Sequence, residues 1–138
     1  MIRTKRWDDP VDEGDGLRVL VTTYLPQGVK KEQQTWHQWR RELAPSKELH
    51  AALYPRPGRR PISWEVFRTR YLAEMEKQRP LIAELAQRVA AGQTITLLCS
   101  PACRVETRCH RWLLRLLIEE EVARIKRQTP QQQTAGGV

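Results

Sequence analysis

Three cysteines and a histidine, Cys99, Cys103, Cys109 and His110, fall within twelve residues, and the chain has no other cysteine. Thiolate and imidazole are the side chains that attack electrophiles, change redox state or hold metal. The run Ile95-Thr96-Leu97-Leu98 reads as a buried strand over 94–98. A helix is expected from about residue 107 to 126, with Trp112, Leu113, Leu116, Leu117 and Ile125 facing inward. The cluster therefore sits at a strand–loop–helix junction, where the strand's end and the helix's first turn share one crevice.

Three chemistries compete for these residues. In the first, the helix start offers unpaired N–H groups and a positive dipole end to a small anion. Arg104, Arg108 and Arg111 would hold that anion. The same field would lower the pKa of Cys109, making it the reactive thiol, with His110 its base or orienter and Cys103 a resolving thiol. Cys99 to Arg104 also has the Cys-x4-Arg length of a rhodanese active loop, although Pro101 removes one donor from such a cradle. In the second, Cys99, Cys103, Cys109 and His110 are four zinc ligands, or the three sulfurs are joined by water, His37 or His50. Adjacent helical ligands diverge by about a hundred degrees, which makes this spacing poor. In the third, cysteine is simply a small buried hydrophobe, and Cys99 suits that role best.

The rest of the chain must position this junction. Its 138 residues suffice for one domain, expected over 1–127, with a disordered tail over 128–138. Strands are expected at 2–6, on an edge, and at 18–22, where Arg-Val-Leu-Val-Thr is nearly all apolar. Trp36, Trp39 and Leu43 recur at i, i+3 and i+7, which predicts a helix over 32–43. Ser46 and Ser63 are expected to cap two further helices. The second carries the stripe Trp64, Phe67, Tyr71, Leu72 and Met75, and must kink or restart at Pro80. Between them, residues 54–61 hold three prolines, a glycine and three arginines. This segment reads as a stiff surface connection or as an anion-contacting arm over the site. Strand, helices, strand and helix make an α/β pattern. The expected fold is a helix-rich α/β domain with a small parallel or mixed sheet of about three strands, those at 18–22 and 94–98 being parallel.

Net charge is +8, and eighteen of the 24 basic residues are arginine. Such a balance keeps nucleic acid open as a partner of a non-enzymatic binding module. No apolar run is long enough for a membrane span. The first residues carry no secretory signal, so the odd number of cysteines reads as reduced thiols in the cytoplasm. Oligomeric state is left open, and whether the chain is an enzyme is undecided by these patterns.

Several stretches are similar to the YeaO-like proteins of the domain of unknown function 488 family. They are Lys5-Arg6-Trp7-Asp8-Asp9-Pro10, Asp15-Gly16-Leu17-Arg18-Val19-Leu20-Val21, Leu25-Pro26-Gln27-Gly28-Val29-Lys30-Lys31 and Glu42-Leu43-Ala44-Pro45-Ser46-Lys47-Glu48-Leu49. Trp39, Phe67-Arg68-Thr69-Arg70-Tyr71-Leu72 and Thr96-Leu97-Leu98 continue the likeness, which spans roughly residues 2–118. The resemblance implies a compact α/β domain in a bacterial cytoplasm and says little about activity. Typical members carry Asp-Arg where this chain has Thr22-Thr23, and Trp-Pro-Arg-Gly where it has Leu25-Pro26-Gln27-Gly28. Cys109-His110-Arg111 resembles a Cys-His-Arg signature of longer members.

Overall fold

The computed structural model describes residues 1–136, with side chains described through residue 128. Of the tail expected to be disordered over 128–138, residues 128–136 continue the last helix, and 137–138 lie outside the described residues. Four strands, β1 (Ile2–Arg6), β2 (Leu17–Leu20), β3 (Gln38–Trp39) and β4 (Ile95–Cys99), form one sheet in the order β1-β4-β2-β3. Every pairing is parallel. Leu17 to Leu20 face Ile95 to Leu98 in register, and Ile2 to Arg6 face Ile95 to Cys99. The central strand β4 is buried along its whole length, which explains its uninterrupted apolar sequence.

Four helices follow: α1 (Lys47–Ala52), α2 (Trp64–Met75), α3 (Arg79–Ala90) and α4 (His110–Gly136). Ser46 caps α1 by accepting from the Leu49 amide at 3.1 Å, and Ser63 caps α2 through Val66 at 3.2 Å. A 3-10 turn, Glu76–Gln78, separates α2 from α3, and Pro80 lies in the first turn of α3. The missing proline N–H costs nothing there, because first-turn amides have no intrahelical partner.

Alternation along the strands divides the sheet into two faces. Ile2, Val19, Val21, Ile95 and Leu97 face the helices and join Phe67, Tyr71 and Met75 of α2, Ile82, Leu85 and Val89 of α3, and Leu113, Leu114 and Ile118 of α4 in one core. At roughly 1.5–3 kcal/mol for each large side chain removed from water, this layer dominates stability. The opposite face carries Arg3, Lys5, Arg18 and Thr96, and a buried carboxylate organises it. Asp15 is 1% exposed and is bonded by Arg3 at 3.2 Å, by Lys5 and by Arg18. Burial opposes its charge, yet the Lys5 hydrogen bond and the nearby cations hold its carboxyl down to about 2. Gly16, at φ 62°, then turns the chain into β2 so tightly that a Cβ would overlap the Thr94 carbonyl oxygen.

One sequence expectation is overturned. Residues 32–43 are not a helix but a 3-10 turn (Lys31–Gln33), the strand β3, and a second 3-10 turn (Arg41–Leu43). The free edge of β2 explains this. His37 N donates to Arg18 O at 2.8 Å, Arg40 N to Leu20 O at 2.9 Å, and Arg18 N to His37 Nδ1 at 2.9 Å. Pairing the backbone of a buried strand outweighs a helix whose apolar face had only three members. Trp36 meets Trp7 edge-on with ring centroids 6.1 Å apart, and Trp39 donates from Nε1 to Thr22 O at 2.9 Å. The sheet accordingly has four strands where about three were expected.

Candidate functional site

The chain leaving β2 turns toward β3 on one side, while the chain leaving β4 enters α4, which packs across β1 on the other. Neighbouring parallel strands whose continuations diverge leave a crevice at their C-terminal ends. Here the crevice has a volume of about 240 Å³ and is lined by Thr22, Tyr24, His50, Tyr54, Cys99, Cys103 and His110, among others.

The three thiols meet at its floor. After Cys99 the chain makes a turn with Pro101 at its second position, closed by Cys103 N donating to Ser100 O at 3.0 Å. That turn brings the Cys103 sulfur back to 3.0 Å from the Cys99 sulfur. Cys109, immediately before α4, donates from Sγ to Cys99 Sγ at 3.4 Å, and all three sulfurs lie within 4.8 Å of one another. His110 is fixed beside them: its Nε2 donates to the Val21 carbonyl at 2.5 Å, which leaves Nδ1 as the lone-pair nitrogen, 3.9 Å from Cys109 Sγ. Its ring also lies 5.7 Å from that of Tyr71.

Three thiols this close share charge unequally. Cys103 is half-buried and held well below the ordinary thiol range, first by hydrogen bonds with the Cys109 and Cys99 thiols beside it and then by the nearby Arg111 cation. Cys99 is pushed far up by its hydrogen bonds to the other two and by burial. Cys109 is pushed up to about 12, chiefly by Cys103. Of the three, Cys103 is the one whose thiolate form the surroundings favour. Burial lowers the pKa of His110 and keeps its imidazole neutral at neutral pH, and burial lowers that of His50 as well.

The expected site residues separate. Cys99, Cys103, Cys109 and His110 do converge. Cys109, expected as the reactive thiol, is 2% exposed and bonded to Cys99; the surroundings favour the thiolate of half-buried Cys103 instead. Arg104 and Arg108, expected as anion holders, point to solvent and do not line the crevice. Arg111 does not line the crevice either, but it is buried. It is 5% exposed, its charge acts on Cys103, and its Nε and Nη1 have no hydrogen-bond partner.

With this geometry in hand, the chain can be set beside known proteins. Residues 2–122 match DUF488-N3a, described as the active DUF488-N3 subclade. The chain belongs to the DUF488 family. It is 35% identical to the uncharacterized protein YeaO of Escherichia coli over 99 residues, which is 72% of this chain and 82% of YeaO. It is 36% identical over 84 residues to the uncharacterized proteins Rv3073c of Mycobacterium tuberculosis and Mb3100c of Mycobacterium bovis, covering 61% of this chain and 67% of each. No solved structure matches the chain.

Within this DUF488 domain, Thr22 and Thr23 stand where typical members were expected to carry Asp-Arg. Both are buried, and their hydroxyls donate to backbone carbonyls: Thr22 to Tyr24 O at 2.6 Å, Thr23 to Pro45 O at 2.9 Å. They fasten the loop that walls the crevice. Sequence reasoning missed Tyr24, offered His50 only as a distant fourth partner for the sulfurs, and included Tyr54 only as the first residue of the proline-rich arm. His50 lies between the two tyrosines, with ring centroids 5.5 and 5.2 Å away. The only signal was that all three flank segments already suspected of turning. Among the described residues, no helix is long and apolar enough to cross a membrane.

Proposed function

We propose that this DUF488 protein binds a small anion in the crevice between β2 and β4 and that Cys103 is its reactive thiol. The observation that carries this reading is Arg111: a guanidinium almost fully out of water, with two nitrogens unpartnered, whose charge favours the thiolate form of Cys103 on the crevice lining. A buried cation without a matching anion costs several kcal/mol, so its retention fits a site that awaits negative charge. Cys103 supplies the nucleophile, Cys99 the nearest second thiol, and His110 orients the cluster from Val21. Free thiols of this kind suit a reducing cytoplasm.

Iodoacetamide labelling at pH 6.5, mapped by mass spectrometry, tests it. Cys103 is expected to be alkylated first, with inorganic sulfate slowing the reaction. Equal slow labelling of all three cysteines, or Cys109 first, sinks the reading.

One observation favours a second use of the same groups. A histidine that ligates metal commonly donates its other nitrogen to a carbonyl or carboxylate, and His110 does so toward Val21. Three sulfurs within 4.8 Å and the free Nδ1 then make a Cys3His donor set for zinc. Three thiolates and one Zn²⁺ sum to −1, which Arg111 would balance. Stoichiometric zinc in protein purified without chelator, released only with loss of thermal stability, would favour this use over thiol chemistry.

A further inference from the structure

Beyond the crevice, the chain offers a second concavity. A groove of about 630 Å³ is lined by Lys47, Arg56, Arg59, Arg60 and Arg70, with Glu48 as its one acidic side chain. The groove and the thiol crevice share two walls, Tyr24 and Tyr54, each about half exposed. Elsewhere on the surface Arg6, Arg79, Arg115 and Arg124 sit on carboxylates. Among the described residues, the five cations of the groove have no carboxylate within 4.0 Å. Their placement is also fixed. Arg56 and Arg59 exchange backbone hydrogen bonds at 3.3 and 3.0 Å across Pro57-Gly58, and Gly58 has φ 76°, so a tight proline–glycine turn holds both arginines at the groove.

Five unpaired cations in one concavity, sharing two aromatic walls with a crevice that holds the Cys103 sulfur, match a ligand built in two parts. We propose that the substrate of the crevice is an extended small molecule carrying two or more phosphate or carboxylate charges. Its charged end rests on Arg56, Arg59, Arg60 and Arg70, and its reactive end reaches Cys103 over the wall that Tyr24 and Tyr54 form with His50 between them. This substrate class rests on Cys103 being the reactive thiol. The smaller crevice admits a head group only, and the groove supplies the charge complementarity that selects the tail.

Two chromogenic disulfides read the proposal: dianionic 5,5′-dithiobis(2-nitrobenzoate) and neutral 4,4′-dithiodipyridine. With each, the Cys103 thiolate forms a bond to one sulfur, the reagent's S–S bond breaks, and the released aromatic thiolate or thione carries off the electron pair. The ratio of dianionic to neutral rate is expected to fall about tenfold when salt is raised from low to molar levels, and again in the Arg56→Glu/Arg59→Glu/Arg60→Glu variant at low salt. A ratio unmoved by both changes overturns the proposal. If Cys103 reacts no faster than free cysteine with either reagent, it is the thiol assignment that fails. The groove is then read by calorimetry with inorganic tripolyphosphate, where binding abolished in the triple variant supports the charged-tail site and absence of binding overturns it. Tighter binding of single-stranded oligonucleotides with each added nucleotide would also overturn it, because the groove would then serve a polymer.

Discussion

His110 Nε2 lies 2.5 Å from the carbonyl oxygen of Val21, and this one bond ties the start of α4 to the end of β2 across the floor of the crevice. Replacing His110 with alanine strands the buried carbonyl and opens a void against Tyr71. The expected loss is about 3 kcal/mol, from an unsatisfied polar group plus a cavity, read as a shift in the urea midpoint with an unchanged slope.

The same histidine sets a pH dependence. Burial puts its folded pKa below the ordinary 6.5, so the unfolded chain binds a proton more readily. Stability from His110, and in the same sense from His50, is complete above about pH 6.5 and declines as pH falls through the window below it. Urea titrations at pH 7.5 and 5.5 check this. A His110→Gln variant should show a flatter pH response, and an equal response would remove the histidine as the cause.

Arg111 separates function from stability. Substituting methionine removes a buried charge that has two unpartnered nitrogens, and apolar replacements of buried charges are often neutral or stabilising. Arg111→Met is therefore expected to keep or raise the melting temperature while weakening, by about tenfold, the protection that inorganic sulfate gives Cys103 against alkylation, since the buried cation that answers the anion is gone. A large drop in melting temperature would make Arg111 a structural residue.

Asp15 anchors the opposite face of the sheet. Asp15→Asn leaves Arg3, Lys5 and Arg18 around a neutral amide. The expected cost is about 3 kcal/mol or more, because breaking a buried ion cluster from one side leaves uncompensated charge. Because the Asp15 carboxyl is held at about 2, below the ordinary 3.8, its contribution is present above pH 4 and is lost as pH falls from there toward 2. Acid unfolding of the wild type and of the Asn variant should converge in that range.

Gly16→Ala tests the tightest turn. A methyl group there meets the Thr94 carbonyl and the residue must keep φ near 62°. Both terms destabilise, together by about 3 kcal/mol, and thermal unfolding should register a clear drop.

Much of this arrangement was legible in the sequence. The parallel pairing of β2 with β4, the serine caps, the restart at Pro80 and the junction that gathers the cysteines all follow from local rules of periodicity and capping. What escaped was long-range. Trp36 and Trp39 sit at helical spacing, yet the open edge of β2 claims Gln38 and Trp39 for a strand. The ranking of the thiols escaped for a related reason. A helix start is ordinarily exposed, and only the fold shows Cys109 buried against Cys99 while the Ser100–Cys103 turn sets Cys103 on the crevice lining. Tyr24 and Tyr54 stand thirty positions apart, so no spacing could have announced them as two walls of one opening.

A cluster of three sulfurs has an arithmetic of its own when air reaches it. Any internal disulfide consumes two and leaves a third, and which one is left decides what happens next. If Cys99 joins Cys103, the remainder is Cys109, sealed from other molecules at 2% exposure, and the chain stays single. If Cys99 joins Cys109, the remainder is Cys103, facing the crevice mouth. That thiolate is then free to cross-link a second chain or to capture a passing small thiol. The third pairing, Cys103 with Cys109, leaves the equally buried Cys99, so of three disulfides only one leaves a thiol that a further oxidation by air can link to another molecule, and that product alone runs larger on a non-reducing gel.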